Sequence, residues 1–404
     1  KKGTTFENMF VVNPSCCPSR SSILTGLYSH STGVWRNHAP HGGFESFDDS
    51  STLPLWLDGA GYDTALVGEY LNGYHTTYIP PGWEHWYAFA SRASHETKAY
   101  YNYDINVDGE TTTFGQTPAD YSTDVLSNEA VRFIDGARSP FFLYFAPAAP
   151  HLPAIPPPRY ADAFDDLKPW RPPSYDVLPD DPPGWLARSG GLDPGRLAGI
   201  DEVRRDQYRS LLAVDDGVAR IVDALKQTHA LHDTVLLFLS DNGYLWGEHA
   251  VDGKGLPYEE SIRVPLVVRY DRFATAPRSV DQSVLNIDLA PTIAELAGVT
   301  APPTDGLSLV PLLTGEGGWR RHDFLVDHLG GRAPTSFCAV RSNASMYAVY
   351  GDGSEELYFL RKDPLELHNR IADAPASVLQ RLRERVTALC DPPPPGFDSL
   401  PLSA

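Results

Sequence analysis

The stretch that most constrains this chain is residues 13–26, with the sequence NPSCCPSRSSILTG. Residues 1–13 have the pattern of a β-strand, and turn-forming residues follow it. Pro18 suits the first turn of a helix and Gly26 suits its C-terminal exit. We therefore expect a strand, a tight turn and a short helix, with the sulfur of Cys16 just outside the helix N-terminus. Free backbone N–H groups and the helix dipole favour an anion such as sulfate or phosphate at that place.

Arg20 lies one helical turn after Cys16, so its side chain is expected to reach back over the same anion site. For a lone Cys-x-Pro sequence, the alternative is a buried cysteine with a purely structural role. The longer pattern around Cys16 and Arg20 decides between these two interpretations.

The alternation of apolar runs and amphipathic segments predicts an α/β fold, in which helices flank a mostly parallel sheet. Short apolar runs at 64–67, 141–145, 235–239 and 264–270 are typical of buried strands. The run at 235–239 is apolar on both faces, which indicates a central strand of a parallel sheet. Apolar residues at helical spacing predict a long helix over 201–227, and the preceding segment 154–198, rich in Pro and Gly, is expected to be irregular.

Beyond about Leu312 the pattern becomes shorter and antiparallel. A hairpin is expected over 347–360 and a last helix over 376–388. We therefore expect a change of organisation near this point, between a larger α/β domain over residues 1–315 and a smaller C-terminal α+β domain with an antiparallel sheet over residues 316–404.

Polar side chains follow two of the predicted strands. His151 is held between prolines just past the run at 141–145, and Asp241 and Asn242 follow the run at 235–239. Ligands gather at the carboxyl ends of strands in open α/β sheets. Neighbouring Asp and Asn oxygens suit Ca²⁺ or Mg²⁺ better than Zn²⁺, although Asp-Asn-Gly on its own is more often a simple turn.

The formal net charge of −19 limits the partners of this protein. It argues against nucleic acid, whose recognition rests on clustered Lys and Arg. An acidic protein that binds an anion must concentrate its positive groups locally, and Lys254 lies in a glycine-rich loop although the chain has only seven lysines. No apolar run approaches the ~20 residues of a membrane span.

Four cysteines are too few for a disulfide scaffold. Cys338 and Cys390 lie far from the N-terminal pair. They form a bridge if the protein is exported, and two free buried thiols are the alternative.

The pattern C-x-P-S-R-x-x-x-L-T-G resembles the signature of the type I sulfatases. Its fixed positions are occupied by Cys16, Pro18, Ser19, Arg20, Leu24, Thr25 and Gly26. Other sequence motifs of that family have similar counterparts here, at residues 240–243, 247–249, 253–265, 286–293 and 305–309. The likeness is closest to the N-acetylglucosamine-6-sulfatase branch at residues 16–17, 70–72, 82–83, 100–103 and 149–151.

The resemblance implies an alkaline-phosphatase-like sheet domain and a catalytic formylglycine derived from Cys16 by the formylglycine-generating enzyme. In the family the hydrated aldehyde attacks sulfur. Arg20 would orient this hydrate, and His151 would assist protonation of the leaving group or breakdown of the covalent sulfate. A Ca²⁺ ion, with Mg²⁺ as the alternative, would be bound by Asp241, Asn242 and the modified Cys16.

The resemblance also implies the substrate and its contacts. Sulfate would be neutralised by Lys254 and the cation. The implied substrate-contacting residues are Lys254, His151, Glu69, Asn72 and His249. The substrate would be a sulfated carbohydrate such as N-acetylglucosamine-6-sulfate, or another small sulfate ester, and the protein would be secreted, periplasmic or otherwise extracytoplasmic.

Two positions depart from the family pattern. The pair of aspartates on the family's first strand has no counterpart, since the sequence starts downstream of that strand. Glu69 stands where the family has a lysine, and a carboxylate there would repel sulfate. A phosphodiester or phosphonate hydrolase of the same superfamily, and an inactive relative that binds carbohydrate, are the alternative functions.

Overall fold

The computed structural model describes residues 2–90, 99–188, 190–273, 276–331 and 335–397. Helices flank mixed β-sheets in the N-terminal part, and an antiparallel sheet with one helix forms the C-terminal part. The α/β prediction with a C-terminal α+β unit is confirmed.

The strands are β1 (Thr4–Phe10), β2 (Asp63–Gly68), β3 (His85–Phe89), β4 (Asp104–Val107), β5 (Glu110–Thr113), β6 (Phe141–Ala146), β7 (Leu236–Leu239), β8 (Leu245–Trp246), β9 (Asp252–Gly253), β10 (Arg263–Arg269), β11 (Arg278–Leu285), β12 (Asp323–His328), β13 (Phe337–Ser342), β14 (Met346–Tyr350) and β15 (Glu355–Tyr358). The helices are α1 (Cys16–Thr25), α2 (Ser29–Thr32), α3 (Leu53–Asp58), α4 (Ser122–Gly136), α5 (Gly184–Ala187), α6 (Pro194–Gln227), α7 (Glu259–Ile262), α8 (Leu289–Ala297), α9 (Val310–Thr314) and α10 (Ala376–Leu389).

One sheet has the strand order β11-β1-β10-β7. In it β1 runs parallel to β11 and antiparallel to β10, and β7 is also antiparallel to β10. Consequently β1 and β7 point the same way and their carboxyl ends lie at one edge. A mostly parallel sheet was expected, but this sheet is mixed. The reason is that β10 starts beside the end of β1, with Arg263 opposite Phe10, and runs back along it.

A second sheet has the order β5-β4-β3-β2-β6. Here β2 is parallel to both β3 and β6, while β4 and β5 add antiparallel strands. Every residue of β2 is buried, as expected for a strand covered on both faces.

β6 and β7 each form an edge of their sheet in the described part of the chain. All six residues of β6 are half-buried despite its apolar sequence FFLYFA, and Phe238 of β7 is 46% exposed. The prediction that 235–239 is a central strand is therefore wrong for the described residues. Both strands border the same interior, because Tyr144 packs against the same core cluster as Leu237 and Leu239.

The largest hydrophobic core joins the N-terminal sheet to the C-terminal one. The rings of Phe10 in β1 and Phe324 in β12 lie 5.0 Å apart, and the amide of Asp327 donates to the carbonyl of Val12 at 2.9 Å. The C-terminal sheet, β12 to β15, thus packs directly on the strand that leads to Cys16. A domain boundary at residue 315 stays a prediction.

α6 begins earlier than the sequence suggested. Asp193 accepts hydrogen bonds from the amides of Gly195 and Arg196 at 2.9 and 3.0 Å, and Pro194 occupies the first turn. This capping extends the helix into the segment that was expected to be irregular. α5 also lies in that segment.

The aromatic side chains Trp83, Trp86, Tyr100 and Tyr103 are buried, so they serve the core. The expectation for the two distant cysteines also has a clear outcome. Cys338 of β13 and Cys390, which follows α10, form a disulfide with their Cα atoms 6.3 Å apart.

Candidate active site

Loops that follow four strands meet at one site. Cys16 comes after β1, Glu69 after β2, His151 after β6 and Asp241 after β7. Hydrogen bonds and ion pairs connect these loops with Arg20 of α1 and Lys254 beyond β9. The structure thus brings together seven predicted residues: Cys16, Arg20, Glu69, His151, Asp241, Asn242 and Lys254.

Helix α1 fixes the position of Cys16. The helix begins at Cys16 itself, with Ser15 as N-cap, and ends at Gly26 in a left-handed conformation with φ 74°. The side-chain oxygen of Asn37 accepts hydrogen bonds from the Cys17 amide at 2.9 Å and from the Ser15 hydroxyl at 3.0 Å. Asn37 thus holds the start of the helix, a role that no local sequence signal revealed.

The residues around Cys16 also have structural partners. Asn286 donates to the hydroxyl of Ser19 at 3.0 Å, and its side-chain oxygen accepts from the amide of Val12 at 3.1 Å. Since Val12 and Ser19 flank the turn, Asn286 fixes the strand and the helix relative to each other.

Lys254 is the cation nearest to the cysteine sulfur. Its Nζ donates to Cys16 Sγ at 2.8 Å and to Asn242 Oδ1 at 2.9 Å. Gly253 and Gly255 on either side adopt φ values of +146° and +88°, which other residues rarely adopt, so the glycines allow this loop to turn toward the site. The structure therefore places Lys254 where an anion bound at position 16 would be neutralised.

The two neighbouring cysteines have opposite electrostatic environments. Burial would raise the pKa of the Cys16 thiol, but Lys254, a hydrogen bond with His151 and the charge of Arg20 bring this pKa below its ordinary value. Burial among apolar side chains raises the pKa of Cys17 to about 12. Only the first cysteine lies in surroundings that stabilise negative charge, as a nucleophile requires.

His151 also forms a hydrogen bond with Cys16. The Tyr100 hydroxyl donates to the His151 carbonyl at 2.6 Å, which fixes the loop. The Nδ1 of His151 lies 2.7 Å from the carbonyl of Leu152 and donates to it, so Nε2 remains for the partner at position 16. The hydrogen bond with Cys16 raises the pKa of His151 against the effect of burial.

Arg20 connects the two sheets through its guanidinium group. Its Nε donates to Asp241 Oδ2 at 2.8 Å, and its Nη1 donates to Glu69 Oε2 at 2.7 Å and to the carbonyl of Tyr70 at 3.0 Å. Burial would raise the pKa of Asp241, but the charges of Arg20 and Lys254 hold it below its ordinary value. Asp241 therefore remains ionised.

Glu69 has a partner that neutralises it. Its carboxylate forms the ion pair with Arg20, and its side chain is 30% exposed. Within the described residues, the contacts of Glu69 thus lead to Arg20, whereas Lys254 contacts Cys16 and Asn242.

Asp241 and Asn242 offer three side-chain oxygens of the kind that Ca²⁺ and Mg²⁺ prefer. Arg20 donates to one oxygen of Asp241, and Lys254 donates to the oxygen of Asn242. Because Ca²⁺ takes about six to eight oxygen ligands, the described residues do not by themselves complete the predicted cation site.

Two predicted substrate-contacting residues lie outside this cluster. His249 is fully buried and stacks on Tyr258 with ring centroids 3.9 Å apart, and it faces Glu260 at 3.7 Å. A side chain enclosed in this way has no surface left for substrate, so its predicted role is corrected. Asn72 uses its carbonyl to accept from Phe44 at 2.8 Å, and the described contacts do not bring its side chain to Cys16.

A cavity of about 420 Å³ adjoins Lys254. Its wall includes Trp185, Asp252, His328 and Gly330. His328 ends β12, and burial lowers its pKa to about 4, so its ring is neutral at pH 7. The sequence alone did not indicate that these residues line one cavity, because they come from segments far apart along the chain.

The comparisons with known proteins agree on one family. The family model described as "Sulfatase" matches residues 1–299, and the model "N-sulphoglucosamine sulphohydrolase, C-terminal" matches residues 247–391. The chain is 36% identical over 326 residues to a putative extracellular sulfatase Sulf-1 homolog of Caenorhabditis elegans, with 78% of this chain and 45% of the relative covered. It is 34% identical over 350 residues to the N-acetylglucosamine-6-sulfatase of Homo sapiens, with 81% of this chain and 62% of the relative covered.

The chain thus spans about half the length of these curated relatives. Among solved structures, it is similar to one described as a complex with its substrate D-glucosamine-2-N,6-O-disulfate, with a TM-score of 0.82 and 24% identity. That likeness covers 98% of this chain and 91% of the other and concerns the fold.

Proposed function

This chain belongs to the sulfatase family, and we propose that it is a formylglycine-dependent sulfuric ester hydrolase for a sulfated sugar of the N-acetylglucosamine-6-sulfate type. One observation carries the proposal. The Nζ of Lys254 lies 2.8 Å from Cys16 Sγ at the first residue of α1, so a cation and a helix N-terminus both face the position of the nucleophile. Such a site binds an oxyanion and withdraws charge from it.

The reaction divides among the residues of this site. Formylglycine at position 16 would supply, as its hydrate, one hydroxyl group that attacks sulfur and a second that expels sulfate afterwards. Lys254 binds a sulfate oxygen and stabilises the charge that develops there. Its second hydrogen bond, to Asn242, keeps the ammonium group in place.

His151 handles the proton in this proposal. A histidine that hydrogen-bonds to position 16 can protonate the oxygen of the departing sugar or take the proton of the second hydroxyl group. The hydrogen bond with Leu152 fixes the ring so that one nitrogen remains available for this exchange.

Arg20 is a positioning residue. It donates to Asp241 and Glu69, so these two carboxylates balance its positive charge. Asp241 and Asn242 would provide two oxygens to Ca²⁺, or alternatively Mg²⁺. Since the described residues do not complete that site, the steps above depend on the protein's own groups.

The cavity beside Lys254 is the proposed place for the sugar. It has a volume of about 420 Å³, and it combines an aromatic side chain, Trp185, with the polar groups of Asp252 and His328. Sugar sites typically combine these two kinds of group. The N-acetylglucosamine-6-sulfatase named among the relatives supports this choice of substrate class.

We also propose maturation by the formylglycine-generating enzyme and an extracytoplasmic location. The bridge between Cys338 and Cys390 supports an oxidising compartment. Two relatives are named as extracellular sulfatases. Within the described residues, no helix combines the length and apolar character that crossing a membrane requires.

The test is production of the protein in a host with the formylglycine-generating enzyme. Mass spectrometry of the peptide that contains position 16 should show formylglycine, and N-acetylglucosamine-6-sulfate should be hydrolysed. Cys16→Ala should lose all turnover, whereas Cys17→Ala serves as the matched control and should keep it. Activity with unmodified thiol alone would contradict the mechanism.

The alternatives give different outcomes in the same assay. Faster turnover of an aryl phosphonate diester than of any sulfate ester would indicate the phosphonate hydrolase. Binding of the sulfated sugar by the converted protein, with turnover of neither substrate, would indicate the inactive carbohydrate-binding relative.

A further inference from the structure

A second cluster of ligating side chains lies outside the site around Cys16. It consists of His249, between β8 and β9, Glu260 of α7, and Glu366, which follows β15. One nitrogen or oxygen atom from each of these residues lies within 4.8 Å of the other two. Three distant segments therefore bring one imidazole and two carboxylates to the same point.

The polar atoms of this cluster have no hydrogen-bond partners among the described residues. This holds for Nδ1 and Nε2 of His249, Oε2 of Glu260 and Oε1 of Glu366. His249 is 0% exposed and Glu366 is 1% exposed. A buried donor or acceptor that stays unpaired costs roughly 1–3 kcal/mol, so a cluster of them requires an explanation.

Contacts outside the cluster hold two of its three side chains. The His249 ring stacks on Tyr258, and its Nε2 lies 3.7 Å from Glu260 Oε2. Glu366 accepts from the amide of Glu259 at 2.9 Å with one oxygen and leaves the other oxygen to the cluster. His249 and Glu366 are therefore held in place, and Glu260 faces His249 without a close contact.

A divalent cation would give partners to three of the four unpaired atoms of this cluster. The oxygens of Glu260 and Glu366 and one ring nitrogen of His249 would bind it at the same time. The observed arrangement is thus unfavourable for protein atoms alone and favourable around an ion.

We propose that His249, Glu260 and Glu366 bind a structural Zn²⁺ ion. One imidazole with two carboxylates is a ligand set for a transition metal, because Ca²⁺ and Mg²⁺ prefer oxygen ligands throughout. Zn²⁺ bonds of about 2.0–2.2 Å place ligand atoms roughly 3–4 Å apart, so atoms that lie up to 4.8 Å apart need to approach each other by up to about 1–2 Å. Glu260, whose side chain is 24% exposed, leaves access for the ion and for a water ligand.

The ion would join the catalytic part of the chain to its C-terminal part. His249 and Glu260 belong to segments next to the active-site loops, whereas Glu366 lies beyond the C-terminal sheet. Binding of Zn²⁺ to the folded chain would therefore stabilise the contact between these parts. This site shares no residue with the cation site proposed at Asp241 and Asn242.

The proposal is tested by metal content in Cys16→Ala protein, which removes the thiol of the active site as a competing ligand. Incubation with Zn²⁺, desalting and elemental analysis should find one equivalent of zinc. Glu366→Gln, which keeps the hydrogen bond from the Glu259 amide, should lose this equivalent. Glu259→Gln changes a neighbouring carboxylate that pairs with Arg341 and should retain it.

Thermal unfolding gives a second readout with opposite signs for the two possibilities. His249→Phe preserves the ring stacked on Tyr258 and removes both ring nitrogens. With a bound ion, this variant and Glu366→Gln should each lower Tm by about 3–5 °C in the presence of Zn²⁺. Without an ion, removal of two unpaired nitrogens should leave Tm unchanged or raise it.

Co²⁺ provides the spectroscopic control. Co²⁺ loaded in place of zinc should give a visible absorption band that disappears in His249→Phe and persists in Asp241→Asn. Less than a tenth of an equivalent of zinc in the Cys16→Ala protein, or zinc content equal in all variants, would overturn the proposal. These measurements do not involve sulfate ester turnover, so they stand apart from the proposed function.

Discussion

The effect expected of the Glu69 charge depends on the partner of its side chain. From the sequence, a carboxylate at this position would repel sulfate. In the structure Glu69 lies 2.7 Å from the Nη1 of Arg20, which also pairs with Asp241. One guanidinium therefore serves two carboxylates, and the local charge depends on all three groups.

We predict that Glu69→Gln strengthens inhibition by sulfate. The variant removes one negative charge and leaves Arg20 less neutralised, so the site becomes more positive. A unit charge roughly 8 Å from the anion at an effective dielectric near 20 corresponds to about 2 kcal/mol before screening by salt, so a gain of about threefold to tenfold is expected. The measurement is the inhibition constant of sulfate at low ionic strength.

Glu45→Gln changes the net charge by the same amount and is the control. The stronger sulfate inhibition expected for Glu69→Gln depends on the ion pair between Glu69 and Arg20. An equal effect of both substitutions would place Glu69 outside the electrostatic reach of the site. A lysine at position 69 would face Arg20 and repel it, so the structure favours glutamine for this test.

The residues found from the sequence share a local signal, and those missed do not. Cys16 and Arg20 belong to one short motif, and Lys254 lies between two glycines. Asn37 holds the start of α1 from a loop about twenty residues away, and His328 reaches the cavity from the C-terminal sheet. Such positions depend on tertiary packing, which no window of sequence contains.

At the scale of elements, strand identity was more predictable than strand neighbours. The apolar run at 235–239 gives β7, but its interior position was inferred from composition alone. Strand order depends on which other strands pair with β7, and in the described residues only β10 does so. Likewise α6 extends back to Pro194 because of one capping carboxylate, Asp193, that lies before the apolar periodicity begins.

We predict fast hydrogen exchange on the outer edges of β6 and β7. Their amides that do not bond to β2 or β10 should exchange at least about tenfold faster than those of β1, which pairs on both sides. Exchange of the 404-residue protein, followed by mass spectrometry of short peptides, measures this difference. Slow exchange along both edges would mean that a further strand covers them in solution, and it would contradict the open arrangement.

At the scale of the whole molecule, the acidic net charge and the anion site are compatible because the positive groups are placed locally. The chain carries a formal net charge of −19, yet Lys254 and Arg20 both lie at Cys16. The net charge argues against nucleic acid as a partner, but it does not show where the positive groups lie. In the same way, the sequence does not show that β1 shares its core with the C-terminal sheet.

That shared core leads to a prediction about how the molecule unfolds. Because Phe10 of β1 packs on Phe324 of β12, loss of the C-terminal sheet would expose the strand that supports Cys16. We therefore expect a single calorimetric transition for the two parts, in spite of the sequence boundary predicted at 315. The bridge between Cys338 and Cys390 provides a way to perturb one part alone, since both cysteines lie in the C-terminal segment.

The double variant Cys338→Ala/Cys390→Ala should lower the free energy of unfolding by about 2–4 kcal/mol, because the bridge closes a loop with a sequence separation of 52. If the core couples both parts, the whole transition moves to lower temperature and the loss of activity follows it. Cys17→Ala, which removes a buried cysteine without a bridge, controls for the loss of thiol volume. Two separate transitions, of which only one moves in the double variant, would contradict the coupling and would favour an independent C-terminal domain. Differential scanning calorimetry with activity measured after each temperature step distinguishes these outcomes, because an independent domain would melt while the site around Cys16 still works.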